Sequence, residues 1–255
     1  MSADEPTRLS DDEYVEAVRS EGGRIADLAE RSGLSTPVPT CPGFDIAGLV
    51  GHLGRIQRWA TIMIADGRTT PVGSEERRRR VGASPKGPEV LPWFREGLAR
   101  LVDTLHAAPL DLEVWSFLPA PTPRGFWIRR MAHEVLIHRA DVELAVGAPI
   151  VIEPRLAADG IDELLTAWVV DPATGPHFER AATLLVQPDD ADARWLASLG
   201  PDGARTSRGV GAADCTISGP AGALDLMLWN RRAPGMVDIS GDAAVIDAWA
   251  AAVRI

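Results

Sequence analysis

Cysteine, lysine and long apolar runs are all scarce in this 255-residue chain. The cysteines are Cys41 and Cys215 alone, one in each half. They can form no disulfide framework and leave too few thiolates for a structural zinc knuckle, so a metal would be held mainly by His, Asp or Glu. Lys86 is the sole lysine, which suggests GC-rich coding more than any mechanism. Positive charge is in deficit, with 26 basic against 36 acidic residues and a formal net charge of −10. That field repels a phosphate backbone and argues against a nucleic-acid partner. No uncharged apolar run approaches the roughly 18 to 20 residues of a membrane span, and Met1-Ser2-Ala3-Asp4-Glu5 is acidic where a secretory signal would be basic. The expectation is a cytoplasmic protein with no membrane partner. With 45% hydrophobic and 24% charged residues, the chain has the composition of a folded globular protein and the length for two cores.

Hydrophobic spacing divides the sequence into two textures. Ser10 followed by Asp11, Asp12 and Glu13 predicts a helix start, and Tyr14, Val15, Val18, Ile25 and Leu28 then recur at helical spacing as far as Gly33. Pro37-Val38-Pro39-Thr40-Cys41-Pro42-Gly43-Phe44 cannot be helical. Asp45 then offers an N-cap, with Phe44 and Leu49 as a hydrophobic staple, for a second helix running to about Asp66. The Gly-, Pro- and Arg-rich stretch from Gly67 to Gly87 reads as a connection. Its Arg77 to Arg80 run is expected to be a solvated surface, though it could grip an anion. Helices over 88–107 and 124–145 complete four long helices, the pattern of a bundle. After Gly147-Ala148-Pro149 come one helix over 154–169 and β-like runs at 182–187, 193–199 and 215–218. A short run at 236–239 separates two closing helices, 221–231 and 243–253. A domain boundary near Ala148 gives segments 1–148 and 149–255.

Polar residues on apolar stripes single out the chemistry. His133-Glu134-Val135-Leu136-Ile137-His138 is one residue too long for the zincin motif: at about 100° per residue, His133 and His138 diverge by roughly 140°. Glu134 and His138, at i and i+4, lie one above the other on the stripe Trp127, Met131, Glu134, His138, Val142, Ala145. On the second helix His52 falls within the apolar face, between Leu49 and Ile56. Two histidines and a glutamate suffice for a zinc ion with one open position. They would equally make a buried hydrogen-bonded network. His133 and Asp141 are candidates for supporting positions, Trp59 and Trp127 for a pocket wall, and Cys41, between prolines, for a structural role.

The stretch Val38 to Phe44 leading into Leu49-Val50-Gly51-His52-Leu53, with His133-Glu134 and His138-Arg139-Ala140-Asp141-Val142-Glu143, resembles the mycothiol-dependent maleylpyruvate isomerase family. Ser218-Gly219-Pro220-Ala221 through Leu226, Leu228, Trp229, Asn230 and Arg231 resembles its C-terminal domain. The resemblance implies an α+β two-domain fold, a DinB-like four-helix bundle followed by a small sterol-carrier-like α+β domain. It implies His52, Glu134 and His138 as ligands of a divalent metal, zinc by analogy. Mycothiol would be the thiol cofactor or cosubstrate, and the substrate a small electrophile of the maleylpyruvate type. It implies His52 and Arg231 as the catalytic residues, with Arg232 as a competing register for the arginine; Arg231, Trp59 and Trp127 are the cofactor-binding expectations. Phe44 stands where the family usually has tryptophan, and Asn230 where it usually has glycine. A thiol held as thiolate would add to a conjugated cis alkene, permit rotation and leave, or stay on the product in a transferase. Two other functions use the same residues. One is metal-assisted hydrolysis, for which no general base is identified. The other is a non-catalytic small-molecule-binding or regulatory module with a buried His/Glu network. The ligand set itself would also suit ferrous iron.

Overall fold

The computed structural model describes residues 7–231 and 237–253. Arg232, and Met236 at the start of the expected short run, lie outside the described residues. The chain divides into two compact units, one of Ser10–Ile150 and one of Met1–Leu9 with Val151–Ile255.

The first unit is helical. Helix α1 (Asp11–Ser32) starts at a capping box: the Glu13 amide donates to Ser10 Oγ at 3.3 Å and the Ser10 amide to the Glu13 carboxylate at 2.7 Å. The proline-rich segment then folds back on itself. Val38 N–H donates to Phe44 O, Cys41 N–H to Val38 O and Phe44 N–H to Cys41 O, each at 3.0 Å, with Pro37 bridged to Asp45. Asp45 caps α2 (Ile46–Ala65) through the Gly48 amide at 2.8 Å. Leu49 is wholly buried, but Phe44 is 38% exposed and its ring lies 5.9 Å from that of His52. Within the stretch read as a connection lies α3 (Ser74–Val81), whose Glu and Arg residues give no apolar period; only Val81 of it is buried. Helices α4 (Val90–Ala107) and α5 (Pro123–Val146) follow, α5 opening on Pro123 with Thr122 as its cap and closing at Gly147 with φ 66°.

The four long helices form a ring. Helix α1 packs most extensively on α5 and α2 on α4; α1 also lies along α4, and α2 meets α5 least of the four pairs. Val18, Ile25, Leu53, Met63, Phe94, Leu101, Trp127 and Val142 fill the centre. At Gly54 an added Cβ would overlap the Trp93 side chain, so α2 can approach the start of α4 only through glycine.

The second unit is α+β. Helix α6 (Pro154–Glu163) continues as one π turn over Leu164–Trp168. Strands β1 (Ala182–Pro188), β2 (Trp195–Gly200), β3 (Gly203–Arg208), β4 (Cys215–Gly219) and β5 (Asp238–Gly241) make a sheet of order β3-β2-β1-β4-β5. Only the β1–β4 pair is parallel. Strand β3 has no apolar alternation to announce it. It is an edge strand held by pairing with β2 and by Arg208, whose Nε and Nη2 donate to both oxygens of buried Asp162 at 2.7 and 2.6 Å. Helices α7 (Ala221–Leu228) and α8 (Ala244–Ala252) complete the unit. Helix α7 stops short of Arg231 because Asn230 adopts φ 57°. Glycine favours that left-handed region and asparagine tolerates it, so the asparagine found here keeps the backbone path.

Candidate metal centre

The thinnest contact in the helical ring carries its most unusual side chains. His52 projects from α2 and Glu134 and His138 from α5, and their donor atoms converge. His52 Nε2 lies 3.6 Å and His138 Nε2 3.5 Å from the same oxygen, Glu134 Oε1. The two imidazole rings sit edge to face, 5.5 Å apart at 79°. These spacings exceed good N–H···O hydrogen bonds of about 2.7–3.2 Å. They match the roughly 3.4 Å separating neighbouring donors of a tetrahedral ion with bonds of about 2.0–2.1 Å. The donor set therefore fits a divalent metal better than a closed hydrogen-bonded network. The side chains of His52, Glu134 and His138 retain 32%, 22% and 14% of their exposure, so one side of the cluster is open to a further ligand.

Neighbouring groups fix the direction of each donor. His138 Nδ1 lies 2.8 Å from Oδ2 of the fully buried Asp141, an arrangement that turns Nε2 toward Glu134 and His52. The same carboxylate oxygen accepts from the Cys41 thiol at 3.2 Å. Cys41, His138 and Asp141 also cluster as possible ligands, but their spacings are hydrogen-bond lengths and the trio orients the ring. Arg130, 2% exposed, approaches Glu134 Oε2 at 3.6 Å and leaves Oε1 to the histidines. Burial opposes the charge on Glu134, yet the two imidazoles and Arg130 outweigh it and hold the carboxyl well below its ordinary pKa. Burial likewise opposes protonation of His138. Asp141, Cys41 and Glu134 override it and push the imidazole well above its ordinary value in the metal-free protein.

The other expected residues fall in different places. Trp127 has no exposed surface and donates its indole N–H to Trp115 O at 2.8 Å; it backs Trp59, whose ring meets it edge-on at 5.0 Å. Trp59 is half-buried and stacks on Phe117 at 5.9 Å. His133 is buried on the side facing α1, its ring edge toward Tyr14 at 6.2 Å. Arg231 belongs to the second unit, half-buried, with Nη1 donating to Trp229 O at 2.8 Å. Arg130 carried no sequence signal, since an arginine on a helix reads as surface. Cys41 sits in the folded-back proline segment, and its bond to Asp141 has no signal in the sequence.

Residues 15–143 match the family model described as the mycothiol maleylpyruvate isomerase N-terminal domain, and residues 155–248 match the model of the MDMPI C-terminal domain. Two solved structures of a mycothiol-dependent maleylpyruvate isomerase, one of them a histidine-to-alanine mutant, share the fold. Their TM-scores are 0.65 and, for the mutant, 0.64; each is 16% identical and covers 91% of this chain and 93% of its own. No curated protein matches the sequence.

Proposed function

Since the chain belongs to the mycothiol-dependent maleylpyruvate isomerase family, we propose that it is a metal-dependent enzyme activating a low-molecular-weight thiol, mycothiol by family. The thiol serves cis–trans isomerisation of, or thiol transfer to, a small electrophile of the maleylpyruvate type. The observation that carries this reading is the spacing of His52 Nε2, Glu134 Oε1 and His138 Nε2, too long for hydrogen bonds and right for ligands of one ion. A divalent ion, zinc by analogy, supplies the positive charge that keeps a bound thiol deprotonated at neutral pH. Such a thiol supplies reversible addition to a conjugated double bond, which frees that bond to rotate before elimination.

The chain's own residues prepare this chemistry. Asp141 bonds to Nδ1 of His138 and so turns Nε2 toward Glu134 and His52, where a bound ion would take the place of the Nε2 proton. Arg130 engages one oxygen of Glu134 and leaves the other as a single donor. Trp59, backed by Trp127, is the apolar wall assigned to the thiol; Arg231, in the second unit, is assigned to a carboxylate of the substrate or thiol by family resemblance alone. No helix among the described residues is long and apolar enough to cross a membrane; the setting proposed is the cytoplasm. The test is conversion of maleylpyruvate by purified protein with mycothiol. Expected is turnover that needs the thiol, stops on chelation, returns with zinc and is lost in His52→Ala. Turnover that survives chelation, or no reaction with any thiol after metal loading, would overturn the proposal.

A further inference from the structure

Away from the ligand cluster, the helical unit contains a cavity of about 420 Å³ lined by Arg55 of α2, Arg77 and Arg78 of α3, Ser74, Val72 and Val81. That volume lies within the range of small-molecule sites, roughly 300–1,000 Å³. The Arg55 guanidinium donates to Ser84 Oγ at 3.1 Å, and the Arg77 Cζ lies over the Trp59 ring, 4.4 Å from its centre. Among the described residues no carboxylate pairs with Arg55, Arg77 or Arg78, in a chain where acids outnumber bases. Of the nearby acids, Glu76 pairs with Arg68 and Arg80 and Asp66 with Arg80, while Glu75 is exposed to solvent.

A run of arginines is ordinarily a solvated surface, as Arg79 and Arg80 are here. Arg55 and Arg77 are not, because both are half-buried and face one cavity. Burial, and then the charge of Arg55, lower the pKa of Arg77. Two cations so placed repel each other, and an anion between them would remove the repulsion. The walls choose among anions. Val72 and Val81 are apolar, which suits the carbon skeleton of an organic acid better than inorganic phosphate. A guanidinium carries its N–H groups in one plane, a fork that matches a planar carboxylate.

Position links the cavity to the ligand cluster. Arg55 follows His52 by three residues on α2, and Trp59 follows Arg55 by four. Side chains at these spacings share a helix face, with Cβ atoms about 5–6 Å apart. We propose that Arg55 and Arg77, with Arg78 at the rim, bind the carboxylate end of a small organic acid one helical turn along α2 from His52. That this acid is the electrophilic substrate rests on the function proposed above; that the cavity takes a carboxylate does not.

The experiment is calorimetric titration of metal-free protein with maleate, without thiol, and in parallel with inorganic phosphate. Wild type is expected to bind maleate. Arg77→Gln and Arg55→Gln should each weaken binding about tenfold or more, Arg77→Lys should fall between because it keeps charge but loses the fork, and the surface control Arg79→Gln should match wild type. Circular dichroism confirms that each variant is folded. Three outcomes would overturn the proposal: no maleate binding by wild type, equal binding by wild type and Arg77→Gln, or phosphate bound as tightly with the same dependence on the arginines. Because metal and thiol are absent from the titration, its failure leaves the metal-dependent reading standing. Maleate binding in a protein that takes up no metal would sink that reading alone.

Discussion

Helix α5 carries two inward pairs at i, i+4, Glu134 with His138 and Arg139 with Glu143, and they are built differently. Around the second pair opposite charges meet directly: Arg139 donates to Glu21 and Glu143, and Arg24 forms an ion pair with the other oxygen of Glu143 at 2.6 Å. Arg139 and Glu143 are essentially without exposure. In the first, the imidazoles of His52 and His138 come no nearer to Glu134 than 3.6 and 3.5 Å, and the side chains stay partly open. Sequence spacing alone does not separate the two. What separates a structural ion network from a ligand set is whether the polar atoms complete one another or leave room for an ion at their centre.

The comparison breaks most completely at the ligands. His138→Ala should reduce metal content from one ion per chain to none, measured by elemental mass spectrometry, while metal-free His138→Ala stays folded. The opposite pattern is expected at the other pair. Arg139→Met takes the arginine from Glu21 and leaves Glu143 with Arg24 alone, a change that costs about 3–5 kcal/mol in buried pairs; urea denaturation should show that loss with metal stoichiometry unchanged. Between these extremes lies Asp141→Asn. It disturbs the orientation of His138 without removing a ligand, and metal affinity by chelator competition should fall about 10–100-fold.

A smaller effect distinguishes the pairs by pH. In the metal-free protein the folded-state pKa of His138 is raised, so its contribution to stability is fully present below the ordinary value of 6.5 and is lost as pH rises through the folded value. Glu134 is lowered, so its contribution is lost only as pH falls below the carboxylate range and does not interfere. An ion at Nε2 takes the place of that proton. The gap in Tm between zinc-loaded and stripped protein should therefore widen as pH rises from about 6.5, the ordinary histidine pKa. A constant gap would mean that the ion does not sit on His138.

Much of this was legible from one-dimensional pattern. The long helices follow from apolar period and caps, because Ser10, Asp45 and Thr122 each satisfy local amides, and His52, Glu134 and His138 stood out as polar residues on apolar stripes. What was not legible depends on contacts between distant segments. Asp141 reads as an ordinary helix charge until the ring it orients is in place, and Cys41 meets it across 100 positions only because the proline segment folds back. Strand β3 and helix α3 lack apolar alternation and are held by charged pairs or a single valine. The Arg55 and Arg77 cavity was hidden for a related reason: a charge run looks solvated until the missing carboxylates are counted in space.

The central claim is that the first pair on α5 belongs to a metal centre and the second does not. Its most direct test is zinc titration of stripped protein monitored by native mass spectrometry, in wild type, Glu134→Ala and Arg139→Met. The account predicts one tightly held ion per chain in wild type and in Arg139→Met, and none in Glu134→Ala. Failure of wild type to take up a stoichiometric ion, or retention of that ion by Glu134→Ala, would contradict it.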